Sequence, residues 1–128
     1  MAKGINPSDI MTPYNNAYYH GVEVPAGGRT LHVSGQVGMA KDGTVPDGME
    51  AQAEVVWQNL TAILRDAGME VSNIVKMTAY VVGIENFADY AKVRTKYLDG
   101  HVCASTGLGV SALIMPELKI EVEIVAVG

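Results

Sequence analysis

The chain of 128 residues contains only one cysteine, one tryptophan and one phenylalanine. The single cysteine, Cys103, cannot form a disulfide within the chain and suits a reducing compartment. No apolar run approaches the roughly 18 residues that a membrane-spanning helix needs. Residues 1–7 lack the apolar centre of a secretory signal. We therefore expect a cytoplasmic protein that makes no membrane contact.

Positive charge is also scarce. Nine Lys and Arg stand against fourteen Asp and Glu, which gives a formal net charge of −5. The basic residues are scattered, whereas nucleic acids and anionic membranes attract a concentrated positive surface. The composition thus argues against a nucleic-acid binder. The length fits one domain over residues 1–128, and its hydrophobic residues, 48% of the chain, must be buried in a core or against other subunits.

The residues that hold metals and phosphates are sparse as well. His20, His32 and His101 do not stand at metal-binding spacing with carboxylates, and one cysteine cannot complete a structural zinc site. The glycines at 27–28 join two predicted strands and do not open a helix, as a phosphate-binding loop would. We predict neither a metal nor a cofactor.

Turn residues divide the chain into segments of the size of strands and helices. The predicted strands are residues 17–24, 29–39, 74–82, 105–112 and 119–127, and the predicted helices are residues 49–67 and 86–99. The glycine-rich break between the first two strands predicts a hairpin. The order β-β-α-β-α-β-β predicts an α+β fold with one sheet and two helices on one of its faces.

Two details of this prediction concern the second helix and the central strand. Asn86 can cap the helix while Asp89 reaches back to the cap, as in a capping box. Both sides of strand 74–82 carry apolar residues, and an uncovered apolar face favours aggregation. We therefore expect other copies of the chain to cover the face that the helices leave open.

Several short motifs follow one another along the chain, at intervals that match those of a known family. They are Thr12-Pro13-Tyr14-Asn15, Ser34-Gly35-Gln36, Ala67-Gly68 at a helix end, the strand at 74–81, Glu85-Asn86-Phe87-Ala88 and Glu121-Val122-Glu123. In this order they resemble the Rid family, also called the YjgF or UK114 family. Its best-known members are small trimers that hydrolyse reactive enamines and imines.

The resemblance implies a chorismate-mutase-like (YjgF-like) fold with one mixed sheet. It also implies a homotrimer that closes into a barrel, with a small-molecule cleft at each subunit interface. In catalytic members a glutamate on the last strand positions a water that adds to the imine carbon, and no cofactor is needed. Glu121 matches that catalytic glutamate. The resemblance assigns substrate binding to Tyr14, Ser34, Gly35 and Asn86.

The chain departs from the family pattern in its opening motif, with Thr12 for glycine and Asn15 for serine, at Cys103 in place of a proline, and at the carboxylate-binding position. Where the resemblance calls for an arginine that binds the substrate carboxylate, this chain has Ser105, followed by Thr106. Their hydroxyl groups can bind a ligand oxygen, but they lack the bidentate charged geometry of a guanidinium. We expect a substrate that lacks the usual α-carboxylate or holds it elsewhere. Gly107 and Gly109 either let a ligand or neighbouring chain approach, or are plain edge positions.

Each candidate also has a purely structural interpretation. Glu121 shares one side of its strand with Glu123 and could simply face solvent, and the role of Glu123 stays open. Ser105 could be a polar residue that opens a strand. The remaining alternatives are Tyr14 as a packing residue of an N-terminal arm, Asn86 as an ordinary cap, and Cys103 as either an inert buried thiol or the nucleophile of a dyad with His101.

These observations predict a small-molecule hydrolase. The predicted reaction is the hydrolytic deamination of an enamine or imine in a cleft between subunits, with Glu121 orienting the water. One alternative is a non-catalytic trimer that holds a metabolite or offers a chaperone-like surface. Another is an endoribonuclease, which the acidic composition disfavours.

Overall fold

The computed structural model describes residues 2–128. Its strands and helices in chain order are β1 (Lys3–Ile5), β2 (Gly21–Glu23), β3 (Thr30–Val37), α1 (Met49–Asp66), β4 (Ile74–Val82), α2 (Phe87–Leu98), β5 (Ala104–Val110) and β6 (Ile120–Val127). Both predicted helices are present, and the predicted α+β class is confirmed. Over the same residues, the helices are too short or too polar to cross a lipid bilayer.

The main sheet has four strands in the order β3-β6-β4-β5. β6 pairs antiparallel with both β3 and β4, whereas β4 and β5 run parallel. The predicted mixed sheet is therefore confirmed. The parallel pair is possible because α2 carries the chain back across the sheet between β4 and β5.

The core lies between the two helices and one face of this sheet. α1 contributes Trp57 and Leu60, which are fully buried, and α2 contributes Tyr90, also fully buried. The sheet supplies alternate residues of its two central strands, because successive strand side chains point to opposite faces. These are Met77, Ala79 and Val81 of β4 and Ile120, Val122, Ile124 and Ala126 of β6.

The predicted hairpin between the first two long strands is wrong. β2 pairs instead with β1, an N-terminal strand that the sequence did not predict, in the register Lys3 with Glu23 and Ile5 with Gly21. Arg29, just before β3, exchanges two backbone hydrogen bonds with Gly128 at 3.1 and 3.0 Å. Pairing with the distant C-terminal strand thus overrides the local turn signal.

The predicted capping box at the start of α2 is also wrong. Asn86 ends a short 3₁₀ turn, Ile84–Asn86, and its backbone φ and ψ of −88° and 0° are not the extended values of a capping residue. Its side chain makes no cap hydrogen bond. Its amide Nδ2 lies 3.5 Å from the Val82 carbonyl oxygen instead.

The outer face of β4 is less apolar than its sequence indicates. The register of β4 against β6 shifts between Ile74 and Lys76, and Ile74 is buried in the core with 1% of its surface exposed. The outer face then carries Lys76, Thr78, Tyr80 and Val82, all half-buried. The expectation of a second apolar face is met only in part, because this irregularity moves one of its largest residues to the core side.

Gly38 allows α1 to pack closely against the end of β3. A Cβ atom at Gly38 would lie 2.6 Å from Cβ and 2.8 Å from Cα of Gln52. Gln52 cannot withdraw without cost, because its buried amide donates hydrogen bonds to the carbonyls of Pro46 and Glu117 and accepts one from the Lys119 backbone amide. The contact therefore fixes the position of α1 over the sheet.

We predict that Gly38→Ala lowers the free energy of unfolding by about 1–3 kcal/mol, as overpacking in a rigid site does. Urea unfolding followed by circular dichroism measures the loss. Gly21→Ala is the matched control, since a Cβ there meets nothing closer than 3.8 Å. An unchanged midpoint for Gly38→Ala would contradict this account of the packing.

Candidate functional site

Glu121 and Gly35 lie together on the sheet face that the helices leave open. Glu121 stands opposite Val37 of β3 on one side and Tyr80 of β4 on the other. Its side chain crosses Gly35, where an added Cβ would come within 2.8 Å of the carboxylate carbon. The absence of a side chain at Gly35 therefore lets the carboxylate lie against the backbone of β3.

The backbone of β3 is irregular at this point. The register between β3 and β6 shifts between Val33 and Gln36, so the two intervening residues, Ser34 and Gly35, are not paired with β6. The Ser34 carbonyl accepts a hydrogen bond of 3.1 Å from the Gln36 side chain. Such irregularities free backbone groups beside functional side chains. The predicted Ser34, Gly35 and Glu121 thus form one cluster.

The neighbouring Glu123 is already engaged within the chain. The Tyr80 hydroxyl donates a hydrogen bond of 2.6 Å to Glu123, and this bond, with burial, raises the pKa of Tyr80. By contrast, no group in residues 2–128 donates a hydrogen bond to the Glu121 carboxylate. Of the two glutamates, Glu121 is therefore the one free to hold a water.

Ser105 and Thr106 lie on opposite faces of β5. In the parallel register Ser105 pairs with Met77, and Gly107 pairs with Ala79. Because Met77 and Ala79 face the core, Ser105 lies on the helix side of the sheet. Thr106 lies on the open face, where its hydroxyl accepts a hydrogen bond of 3.0 Å from the Lys76 ammonium. The two hydroxyls therefore do not converge on one ligand atom.

The Phe87 ring occupies the helix side of β5 beyond Ser105. A Cβ at Gly107 would lie 2.6 Å from the ring, so the glycine is required for this contact. Gly107 thus admits a side chain of its own subunit, which neither sequence interpretation of this glycine included. Asn86, which the family resemblance assigned to substrate binding, immediately precedes Phe87 in the sequence.

Tyr14 belongs to a strained turn beside α2. Its side chain is 73% exposed, and Asn15 and Asn16 follow with φ of +54° and +52°. Asparagine tolerates this left-handed backbone better than most residues do, so Asn15 and Asn16 suit the turn. The turn borders a groove of about 440 Å³ whose other wall includes Arg94, Leu98 and residues 100–102.

Arg94 is the functional candidate that sequence reasoning missed. Its guanidinium carbon lies 5.8 Å from the ring centroids of both Phe87 and Tyr90. Across residues 2–128 the guanidinium has no hydrogen bond or ion pair. The spacing of the three residues (i, i+3 and i+7) places them on one face of α2. This spacing is the sequence signal from which the contact of Arg94 with the two rings could have been predicted.

The structure does not support a dyad of His101 and Cys103. The His101 ring donates a hydrogen bond of 2.7 Å from Nε2 to the Ile74 carbonyl. Cys103 is 2% exposed, and burial raises the pKa of its thiol to about 11. A buried thiol that stays protonated at neutral pH is a poor nucleophile.

One chain does not bring all the predicted residues together. Glu121 and Gly35 lie on the open face, whereas Ser105 lies on the helix side of the edge strand β5. Strand β4 separates β6 from β5. Within residues 2–128, no group of three or more His, Cys, Asp or Glu side chains is arranged to hold a metal ion.

Comparison with known proteins identifies the family. The model of the family described as Endoribonuclease L-PSP, which is the Rid family, matches residues 10–128. The chain belongs to the Rid family. Its resemblance to the Rid proteins, drawn from the motifs, is confirmed.

Individual relatives agree with this assignment. The rat 2-iminobutanoate/2-iminopropanoate deaminase is 35% identical over 101 residues, which cover 77% of this chain and 73% of that protein. YyfB of Yersinia pestis, a Rid protein of unknown function, superposes with a TM-score of 0.85 at 34% identity, over 99% of this chain and 98% of that one. Escherichia coli TdcF with bound serine superposes with a TM-score of 0.74 at 28% identity, over 93% and 91%.

The buried thiol gives a direct test of the local structure. We predict that iodoacetamide alkylates Cys103 far more slowly than it alkylates glutathione at pH 7.5. The reason is that the thiol is both inaccessible and protonated, its pKa being raised to about 11. Mass spectrometry of the intact protein measures the rate on this single cysteine.

Two further measurements complete the test. Denaturation in guanidinium should restore the normal reactivity. Because the folded protein keeps a proton that the unfolded thiol releases above its ordinary pKa of 9.0, the free energy of unfolding should fall as the pH rises from 9 to 11. Rapid alkylation of the folded protein at neutral pH would contradict the burial of Cys103 and would support the dyad of His101 and Cys103.

Proposed function

We propose that this protein hydrolyses the C=N bond of a reactive imine, or of the imine tautomer of an enamine, with Glu121 orienting the water. The observation that supports this most directly is the unpaired Glu121 carboxylate lying across Gly35. The name of the rat relative, an iminobutanoate and iminopropanoate deaminase, supports the same reaction class.

The proposed chemistry needs no cofactor. A water hydrogen-bonded to the Glu121 carboxylate attacks the imine carbon, so a C–O bond forms and the C=N π electrons move to nitrogen. One water proton goes to the nitrogen, directly or through the carboxylate, and yields a carbinolamine. The hydroxyl proton then passes to the amino nitrogen through the Glu121 carboxylate as the C–N bond breaks, and the products are ammonia and a carbonyl compound.

The cleft is proposed to form between copies of the chain, three of which close into a homotrimer. The support is the separation described above: a second copy that brings its β5 edge against the open face of the first would unite the Glu121 and Ser105 halves of the site. A closed ring of three such contacts leaves no unpaired half-site.

The substrate is proposed to differ from ordinary 2-imino acids. Ser105 offers at most a neutral hydrogen bond at the position where the family places an arginine. We expect the protein to act on an imine whose carboxylate, if it has one, lies elsewhere relative to the reacting carbon. Rapid turnover of 2-iminobutanoate and 2-iminopropanoate would contradict this part of the proposal.

RNA cleavage, which the family description names, has less support in this chain. Two of the basic residues of α2, Lys92 and Lys96, form ion pairs with Glu50 and Glu54 of α1. These pairs neutralise positive charge that a phosphate backbone would need.

Glu121→Gln tests the role of the carboxylate. We predict a loss of at least about 100-fold in the rate of ammonia release, the usual contribution of a positioned general base. The substrates are imines made in place by an amino-acid oxidase from a panel of amino acids, and ammonia above the uncatalysed rate is measured.

Two glutamate variants serve as controls. Glu123→Gln should have a smaller effect than Glu121→Gln, since Glu123 bonds to Tyr80. Glu23→Gln, on the exposed strand β2, should behave as the wild type. A Glu121→Gln protein as active as the wild type would contradict the proposed mechanism.

Subunit mixing tests whether the cleft is shared. Ser105→Trp should block one half of the cleft, and Glu121→Gln disables the other half. Co-refolding the two inactive variants should restore about a quarter of the wild-type activity, because random mixing pairs intact halves at that frequency. Sedimentation velocity should show a trimer. No recovery in mixed trimers would contradict a shared cleft.

A further inference from the structure

Arg94 is a cation held in place by its surroundings yet left without an anion. The Phe87 and Tyr90 rings contact each other edge to face, with centroids 5.8 Å apart, and the guanidinium lies at 5.8 Å from each. Tyr90 is fully buried, so this platform is rigid. A guanidinium held by cation–π contacts keeps its N–H groups free for a planar anion.

The other basic residues of the helices differ from Arg94. Lys92 and Lys96 form ion pairs with α1, and Arg65 is exposed on the last turn of α1. Arg94 is half-buried and borders the groove beside the Tyr14 turn. It is therefore positioned for a ligand in a way that the surface cations are not.

Two contacts made by Phe87 place Arg94 on the same side of β5 as Ser105. Phe87, which Arg94 overlies, packs against Gly107, two residues after Ser105. Arg94 and Ser105 thus lie on the same side of β5, with Phe87 as the residue between them.

A carboxylate is the ligand that this arrangement fits. It accepts two parallel hydrogen bonds from a guanidinium, and such charge-assisted pairs are strong when partly shielded from water. The names of the similar proteins involve carboxylates, namely iminobutanoate, iminopropanoate and serine. A small organic acid in the cleft would therefore find its counter-charge on α2.

We propose that Arg94 binds the carboxylate of the substrate, supplying from helix α2 the positive charge that strand β5 lacks at Ser105. This inference rests on the proposed function for its substrate class. It also selects between the two substrates left open above: the substrate keeps a carboxylate and presents it to the helix side of the cleft.

Lys76 is the competing cation. It lies on the open face, where it donates to Thr106, and it borders a groove with His32 and Glu123. The nearby Glu123 carboxylate makes this face less favourable for an anion than the surroundings of Arg94. The experiment must therefore show whether Arg94 or Lys76 binds the carboxylate.

Direct binding tests Arg94 without requiring turnover. 3-Aminopropanoate and 4-oxopentanoate are the probes, because their carboxylates lie away from the 2-position; 3-aminopropanamide is the counterpart that lacks a carboxylate, and calorimetry or ligand-observed NMR measures affinity. We expect Arg94→Met to weaken binding of both acids at least tenfold and to leave 3-aminopropanamide binding unchanged. Arg94→Lys should retain part of the affinity, and Arg65→Met, the same substitution on the exposed surface of α1, should match the wild type.

The outcomes are distinct. Wild-type affinity in Arg94→Met, loss of affinity in Lys76→Met instead, or no binding of either acid to the wild type would each overturn the proposal. If Arg94→Met unfolds, as its melting temperature would show, Arg94→Lys and Arg94→Gln carry the same test. Carboxylate binding that depends on Arg94, in a protein that hydrolyses no imine, would refute the proposed function alone.

Discussion

The antiparallel pairing of β4 with β6 is the constraint on which the rest of the structure depends. It sets Tyr80 opposite Glu121 and Thr78 opposite Glu123. The alternate residues then face the helices and form the core. A slip of one residue would send both glutamates into that core and Ile120, Val122 and Ile124 to the open face, at a cost no small domain can sustain. The position of Glu121 is therefore fixed by the burial of its neighbours along the strand.

The same pairing divides the site between two faces. With β6 and β4 in the centre, β3 brings Gly35 to Glu121 at one edge, while β5 carries Ser105 at the other edge and on the helix side. Each half is well formed in a single chain. The Tyr80 hydroxyl fixes Glu123, and Phe87 fixes the surface of β5. Within one chain the half with Glu121 and the half with Ser105 do not meet. The proposed chemistry therefore depends on the association of several copies of the chain.

The sequence predicted the elements whose signals extend over many residues. The strand at 74–82 has those bounds in the structure, and the helix at 49–67 differs only at its last residue. The three-residue strand β1 is too short to show a period, and the hairpin was lost because β3 pairs with residues about 90 positions away. The family resemblance assigned Glu121 and Gly35 to the site, and the structure places them in contact. Arg94 was missed because that resemblance directed attention to the strand where an arginine was absent.

The proposed role of Arg94 depends on a set of linked contacts between β5 and α2. Gly107 has no side chain, so Phe87 can pack directly on the strand. Phe87 in turn gives Arg94 a surface on which to lie. A larger residue at 107 would lift the ring and with it the guanidinium, because the Tyr90 ring behind them is buried and cannot yield. The glycine in the strand, the phenylalanine at the helix start and the arginine two turns later therefore act as one unit, which holds a positive charge on the helix beside β5.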